Sequence, residues 1–308
     1  MSAREPHPRP TVSGVSVIVA HYGDPATTSA LVAALQAHSE PLIREIIVVD
    51  DASPIAFPER LGVNVIRRQR NGGFGAAVNT GASVAVGELI MVLNSDLDIG
   101  ASFVRDLVGA AAPWQPAVVS PQIVRPSGEA EWVGRHFPRT GHYAVEWLTP
   151  FARFRHRRGL HEAVGHDTRC VAGAVVPVDW VAGAAMLIPL AEFRAVNGFD
   201  EGFHMNCEEV DLQRRLRSRG VPSVFAGTVT AVHEGGGSSD PARRRRWLVD
   251  SRLRYARKWG EGPRRLQLTL AGASLVNFAV NGVRQLARRP IDARRILRDE
   301  LRLLRGAQ

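Results

Sequence analysis

Residues Val15–Gly23 read VSVIVAHYG, an apolar and largely β-branched run that ends abruptly in His-Tyr-Gly. A strand with one wet face alternates apolar and polar residues, whereas a strand covered on both faces reads as a nearly continuous apolar run. This stretch is of the second kind. Outward from it the pattern repeats. PATTSALVAALQAHS (Pro25–Ser39) has helical spacing, EIIVVDDAS (Glu45–Ser53) is a second buried strand ending in two aspartates, and GVNVIRRQ (Gly62–Gln69) is a short third strand. NGGFGAAVNTGASVAVG (Asn71–Gly87) opens on glycines and continues as a small-residue helix; ELIMVLNSDLDIG (Glu88–Gly100) is a fourth strand, again ending in acids. Alternating apolar strands and helices predict an α/β fold with a Rossmann-like, mostly parallel sheet carrying helices on both faces. Such sheets bind ligands beyond the carboxyl ends of their strands. The residues to examine are therefore Asp50, Asp51, Asn94, Asp96 and Asp98.

The chain has 308 residues, 45% of them hydrophobic, enough for one large domain with an appendage. Its two cysteines, Cys170 and Cys207, have no metal-ligand spacing and read as buried thiols of a reducing compartment. The polar, proline-containing residues 1–13 read as a flexible tail and not as a secretory signal. From Ser238 onward there are 18 basic and 6 acidic residues, so the net charge of +9 resides in the C-terminal quarter. Lys258 is the one lysine among 39 basic residues.

Between Thr140 and Asp179 the pattern is poor, and His156, His161 and His166 recur every five residues, which suits no metal site on one helix face. A mobile surface loop is expected there. WVAGAAMLIPLAEFRAVNGFDEGF (Trp180–Phe203) returns to packed structure, and VPSVFAGTVTAVHEGGG (Val221–Gly237) reads as a short strand pair ending at His233. Between them, Glu208, Glu209 and Asp211 put three carboxylates into four residues ahead of a helix with Leu212 and Leu216 on one side. Acids in a first helical turn are favoured by the helix dipole by about 0.3–1 kcal/mol each, so capping alone would account for them. LNSDLD is likewise either a hard-cation site or a turn leaving a strand. VVDDAS is either a ribose- or base-binding acid or a turn, and NGGFG matches neither a dinucleotide fingerprint nor a P-loop.

The order of these parts is more specific than any one of them. From Val15 to His233 the chain resembles inverting family 2 glycosyltransferases of GT-A fold, in the bacterial rhamnosyltransferase-like branch. The segment Trp180–Gly220 carries most of the likeness. The resemblance implies a catalytic domain over 14–237, with a nucleotide-sugar half at 14–100 and an acceptor half at 101–237, followed by a basic helical region at 238–308. It implies that Ala20, Tyr22 and Asp51 line the nucleotide pocket with Asp50 beside them, and that Asn71, Gly73 and Asn79 lie near nucleotide or sugar. Asn94, Ser95 and Asp96 stand at the DXD-like motif. Asp96 and His233 would hold a divalent cation, Mn2+ or Mg2+. Trp180, Gly183 and Ala184 match the acceptor wall. Glu209 matches the catalytic base, with Glu208 and Asp211 flanking and orienting it. Here Asn94 stands where relatives have Asp, Glu209 where they have Asp, and His204 and Asn206 where Phe and Tyr are common. The implied partners are a nucleotide-diphosphate sugar, with dTDP-rhamnose or another UDP- or dTDP-hexose as the guess, and a glycan or polyprenol-linked acceptor.

Leu266–Val283 has no charged residue, and Gln267, Ser274, Asn277 and Asn281 fall near one helical face. With arginines on both sides, the segment reads as an amphipathic helix on an anionic membrane surface or against a partner. Spanning, closing a helical bundle and forming a homo-oligomer are the alternatives. The expected location is cytoplasmic, peripheral on the inner face of the cell membrane. Two other functions fit less well. A sugar-phosphate nucleotidyltransferase needs a Gly-rich Arg/Lys loop that VIVAHYGDPATT lacks, and a non-catalytic scaffold would not need Asp51, Asp96, Glu209 and His233. The tail has few stacking aromatics, so nucleic-acid binding is not expected.

Overall fold

The computed structural model describes residues 14–37, 41–154, 156–235, 240–287 and 291–306. The expected N-terminal tail, the end of the glycine run after His233, and Arg288 and Arg289 lie outside them. In chain order the elements begin β1 (Val15–His21), α1 (Pro25–Ala37), β2 (Ile43–Asp50), β3 (Asn64–Arg67), α2 (Phe74–Val84), β4 (Leu89–Asn94), β5 (Leu97–Ile99) and α3 (Phe103–Ala111). They continue with β6 (Val118–Val124), β7 (Gly134–Arg135), α4 (Thr140–Trp147), α5 (Arg158–Ala163), β8 (Val175–Val178), β9 (Trp180–Val181), β10 (Ala185–Pro189) and α6 (Leu190–Ala195). The last are α7 (Glu208–Arg217), β11 (Ser223–His233), α8 (Pro241–Lys258), α9 (Pro263–Leu286) and α10 (Ala293–Gly306).

The main sheet runs β3-β2-β1-β4-β10-β6-β11-β5, with β8 paired to β11, and β7 and β9 form a separate ribbon. The first four strands are parallel, as their apolar runs predict. On β1, His21 meets Thr28 of α1, while Ile18, on the other face, lies under Gly81 of α2. The two helices therefore cover opposite faces. A methyl at Gly81 would sit 2.7 Å from Ile18, so this close approach requires glycine. Beyond β4 the sheet is mixed, because β10 runs antiparallel to both β4 and β6. The strands β3-β2-β1-β4 and the pair β6-β11 are parallel, and antiparallel β10 joins the two sets.

Three further expectations change. The fourth strand breaks: β4 ends at Asn94, and β5 leaves to pair antiparallel with the end of β11, where His233 stands opposite Leu97. That break turns Ser95 and Asp96 toward His233. The expected strand pair over 221–233 is one strand, β11, with a register shift between Ala226 and Thr230. Finally, 140–179 is not a plain loop. It holds α4, α5 and β8, and His161 and His166 stack on Trp132 with ring centres 4.3 and 5.7 Å away. Its pattern looked poor because its partners are remote: Trp147 packs among Val249, Leu253, Leu266 and Leu270 of α8 and α9.

Helix α9 turns its polar face inward. Ser274, Asn277 and Asn281 are buried. The indole of Trp147 donates to Ser274 at 2.8 Å; Asn277 accepts from the Thr149 amide at 2.9 Å and donates to the Trp147 carbonyl at 3.0 Å.

Candidate functional site

A cleft of about 850 Å3 opens at the carboxyl ends of β1, β2 and β4. Ala20, Tyr22, Asp51, Asn71, Gly73, Asn94, Ser95 and Asp96 all line it. Asp51 is buried, and its carboxylate accepts from the amides of Gly72 and Gly73 at 3.1 and 2.7 Å and pairs with Arg68. It thereby fixes the glycine loop that opens α2. Gly73 has φ +87°, and a Cβ there would lie 2.0 Å from the carbonyl oxygen of His204, so no other residue fits without moving the cleft wall.

Two residues expected here lie elsewhere. Asp50 is fully buried beneath the cleft and accepts from the amides of Ser53 at 2.7 Å and Phe57 at 3.0 Å and from Arg67. Burial alone would raise its pKa, but those donors outweigh burial and hold it below the usual carboxylate value. Asn79 clamps the backbone of Phe199, donating to its carbonyl at 2.9 Å and accepting from its amide at 2.8 Å. Asp50 also pairs with Arg67 and Asn79 also donates to Glu201 at 3.2 Å, and neither lines the cleft.

At the cleft mouth, His233 stands 3.2 Å from Asp96 and 3.4 Å from Glu131. Hydrogen bonds to these two acids outweigh burial and raise His233 to about 10. The two carboxylates therefore already hold a positive charge between them. The two carboxylates and the nearby Asn94 side-chain oxygen are hard ligands that suit Mn2+ or Mg2+, and the imidazole would join them only on giving up the proton it carries here. Glu131 gave no signal in the sequence, since it lies in the unpatterned stretch after β6. A second His-carboxylate group, His136, Glu162 and Asp167, does not line the cleft. Its acids are satisfied by Thr168 and Arg169.

The three carboxylates of α7 divide. Asp211 is fully buried and bonds Arg215 at 2.9 Å, the Lys258 amine at 2.8 Å and the Trp259 indole at 3.0 Å. It docks α8 and does not flank Glu209. Glu208 and Glu209 do the opposite, since one carboxylate oxygen of each is buried without a protein partner. Burial, then the charge of Glu209, pushes the Glu208 carboxyl well above its usual value. Burial also raises Glu209, against the opposing charge of Arg135. The turn that delivers them is strained: Asn206 and Cys207 have φ of 70° and 66°. Two successive non-glycine residues in the left-handed region cost about 1–3 kcal/mol each, so the surrounding packing holds them there.

The expected acceptor residues sit beside Glu209. A Cβ on Gly183 would be 3.7 Å from the Glu209 carboxylate. The Ala184 carbonyl accepts from the Asn94 amide at 2.8 Å, which joins this corner to the cleft. Trp180 donates to the His136 carbonyl at 2.9 Å and lies under the Arg135 guanidinium, 5.4 Å from its ring centre. Gln213 is fully buried and locks α7 to β9, accepting from the Val181 amide and donating to its carbonyl, both at 2.8 Å.

Sequence reading missed the contribution of α8. Asp240 caps it by accepting from the Arg243 amide at 2.9 Å, and Asp240, Arg243 and Trp247 line the cleft. Trp247 packs on His204 with ring centres 4.6 Å apart. In the sequence, Arg243–Trp247 is one part of a generally basic C-terminal region.

Comparison with known proteins agrees with this architecture. The family described as Glycosyl transferase family 2 matches residues 16–179. An N-acetylglucosaminyl-diphospho-decaprenol L-rhamnosyltransferase of Mycobacterium tuberculosis is 30% identical over 219 residues, covering 62% of this chain and 66% of that relative. The rhamnosyltransferase WbbL of Escherichia coli is 40% identical over 84 residues, covering 26% of this chain and 32% of the relative. A mannosyltransferase of Pyrobaculum calidifontis, solved with GDP-Man and Mn2+, superposes with TM-score 0.55 at 13% identity over 95% of this chain and 85% of its own. GalNAc-T7, solved with UDP, GalNAc and Mn2+, superposes with TM-score 0.55 at 16% identity, covering 77% of this chain and 48% of its own. These likenesses give the fold: a GT-A architecture with a helical C-terminal extension.

Proposed function

The chain belongs to glycosyl transferase family 2, and from that premise we propose that it transfers a sugar with inversion from a nucleotide-diphosphate sugar to a hydroxyl of a lipid-linked or cell-surface glycan acceptor. The named rhamnosyltransferase relatives favour dTDP-rhamnose or another UDP- or dTDP-hexose as donor. The observation that carries the reading is the separation of two electrostatic environments across the Asn94–Ala184 hydrogen bond. On one side, Asp96, Glu131 and His233 form a charged, protein-satisfied cluster. On the other, Glu208 and Glu209 are buried acids with free oxygens.

Inverting transfer is a single displacement at the anomeric carbon. The acceptor hydroxyl must lose its proton as the new bond forms, and the departing diphosphate must be neutralised. Glu209 is the base. A raised pKa suits it, because proton transfer is most efficient when the base titrates near working pH. The positive charge of Arg135 opposes that rise. Glu208 raises the pair through like charge and burial, so the two titrate as a unit. Asp51 and the loop it holds shape the nucleotide pocket, and Tyr22 offers an exposed ring at its edge. Asp96, Glu131 and His233, with Asn94 beside them, would hold a divalent cation, which supplies charge compensation for the diphosphate. Arg243 of α8 adds a fixed positive charge on the same cleft.

The test is thermal stabilisation by UDP, dTDP, GDP, CDP and ADP, each with Mn2+, Mg2+ or EDTA. A ligand at about 100 times its Kd adds about 2.7 kcal/mol. One nucleotide should stabilise the protein, with the effect lost in EDTA and in Asp96→Ala. Stabilisation by none would refute the donor site.

A further inference from the structure

Helix α9 is built inside out. Its buried line is Leu266, Leu270, Ala273 and Ser274, Asn277 and Asn281. Its outward line is apolar: Leu268, Leu275, Val276, Val283 and Leu286 are 74, 56, 50, 67 and 86% exposed. Gly272 and Ala279, also exposed, fill the gaps, so nothing charged interrupts the outward line from 268 to 286. At 1.5 Å per residue the line is about 27 Å long. Scattered exposed leucines need no explanation, but a continuous apolar stripe on a helix whose polar side faces the protein marks a surface for something apolar.

The charges around the stripe identify its occupant. Arg264 and Arg265 are exposed at its N-terminal end, one turn before Leu268, and Arg284 stands at the other end. The adjacent helix α10 adds Arg294, Arg295, Arg298 and Arg302, all exposed. The acids nearby are engaged: Glu300 pairs with Arg245, Glu261 with Arg214, and Asp299 lies between Arg295 and Arg302. A second copy docking symmetrically on this stripe would bring the same arginines face to face. An anionic lipid surface instead meets hydrocarbon with hydrocarbon and arginine with headgroup.

By length and composition α9 is also the one described helix apolar enough to cross a membrane. Crossing would tear Ser274 and Asn277 from Trp147 and Thr149 and put their amide and hydroxyl groups into hydrocarbon. We therefore propose that the outward stripe Leu268–Leu286 of α9, bracketed by Arg264, Arg265 and Arg284, lies in the plane of an anionic bilayer surface while its Ser/Asn face keeps the enzyme body docked. This deepens the reading of a lipid-linked acceptor: the membrane would be met by the same helical layer whose first helix, α8, forms part of the donor cleft.

The experiment is co-sedimentation of the full chain with phosphatidylcholine vesicles, with and without phosphatidylglycerol, at low and high salt. No donor or acceptor is present, so failure here is separate from failure of the transferase reading, which the nucleotide titration tests. Binding should be at least about tenfold tighter to the anionic vesicles and should weaken with salt. The double variant Leu275→Glu, Val283→Glu should lose about tenfold or more, and Arg264→Gln, Arg265→Gln should lose the anionic preference. All substituted positions are exposed, so an unchanged Tm in both variants establishes that folding is intact. Equal binding to neutral and anionic vesicles, or no binding to either, would overturn the proposal. So would a dimer in solution that the Leu275→Glu, Val283→Glu variant dissolves, since a second copy would then own the stripe.

Discussion

The chain carries two adjacent acid pairs at element ends, and the fold treats them in opposite ways. Asp50 and Asp51, at the end of β2, are saturated: each accepts from two backbone amides and one arginine. Glu208 and Glu209, at the start of α7, keep buried oxygens with no protein donor. The first pair clamps its own loops through those donors. The second consists of buried acids that burial pushes above the usual carboxylate value. Adjacent carboxylates do not define a role; the donors that reach them do.

Glu209→Gln is the sharpest way to break this contrast. It should lower the transfer rate by about 10²–10⁴-fold, the range for removing a general base, with nucleotide-induced stabilisation intact. In the wild type the acid limb of kcat/KM should lie above the ordinary glutamate value of 4.5, because burial raises Glu209. A variant that transferred at wild-type rate would remove Glu209 as base. Asp50→Ala should act on stability instead. It orphans the amides of Ser53 and Phe57 and should cost about 3 kcal/mol, seen as a Tm lower by several degrees. Because the folded pKa of Asp50 is depressed, its stabilisation is present above 3.8 and is lost as pH falls through the lowered value. The smallest effect belongs to Glu208→Gln. Its folded pKa is raised, so ionisation costs stability as pH climbs above 4.5. The variant should be more stable than wild type by about 1 kcal/mol at neutral pH, and the difference should vanish in acid. Equal pH slopes for Asp50→Ala and Glu208→Gln would collapse the distinction between the pairs.

The N-terminal half was legible because its signals are local. Apolar runs gave β1, β2 and β4, and the polar steps after them gave Tyr22, Asp51 and Asn94–Asp96, all on the cleft. What the sequence hid depends on distant partners. Asn79 and Asn71 look alike in the chain, yet Asn79 is claimed by Phe199, 120 residues later. Asp211 belongs to the same acidic triplet as Glu209, yet one or two residues of helix rotation turn it toward Lys258 and Trp259. Periodicity found the polar face of α9 but not its direction, which is set by Trp147 and Thr149 across more than a hundred residues. Glu131 and Arg135 were invisible because neither sits in a periodic segment.

Lys258 is the single lysine of the chain, and its amine is held between Asp200 and Asp211 at 2.7 and 2.8 Å. The protein therefore has one side-chain amine, and it sits at the seam between α8 and α7. An amine-reactive reagent, read by peptide mapping, becomes a reporter of that seam. Labelling at Lys258 requires its amine to leave the two carboxylates, so its rate measures how often that pairing opens without any engineered probe.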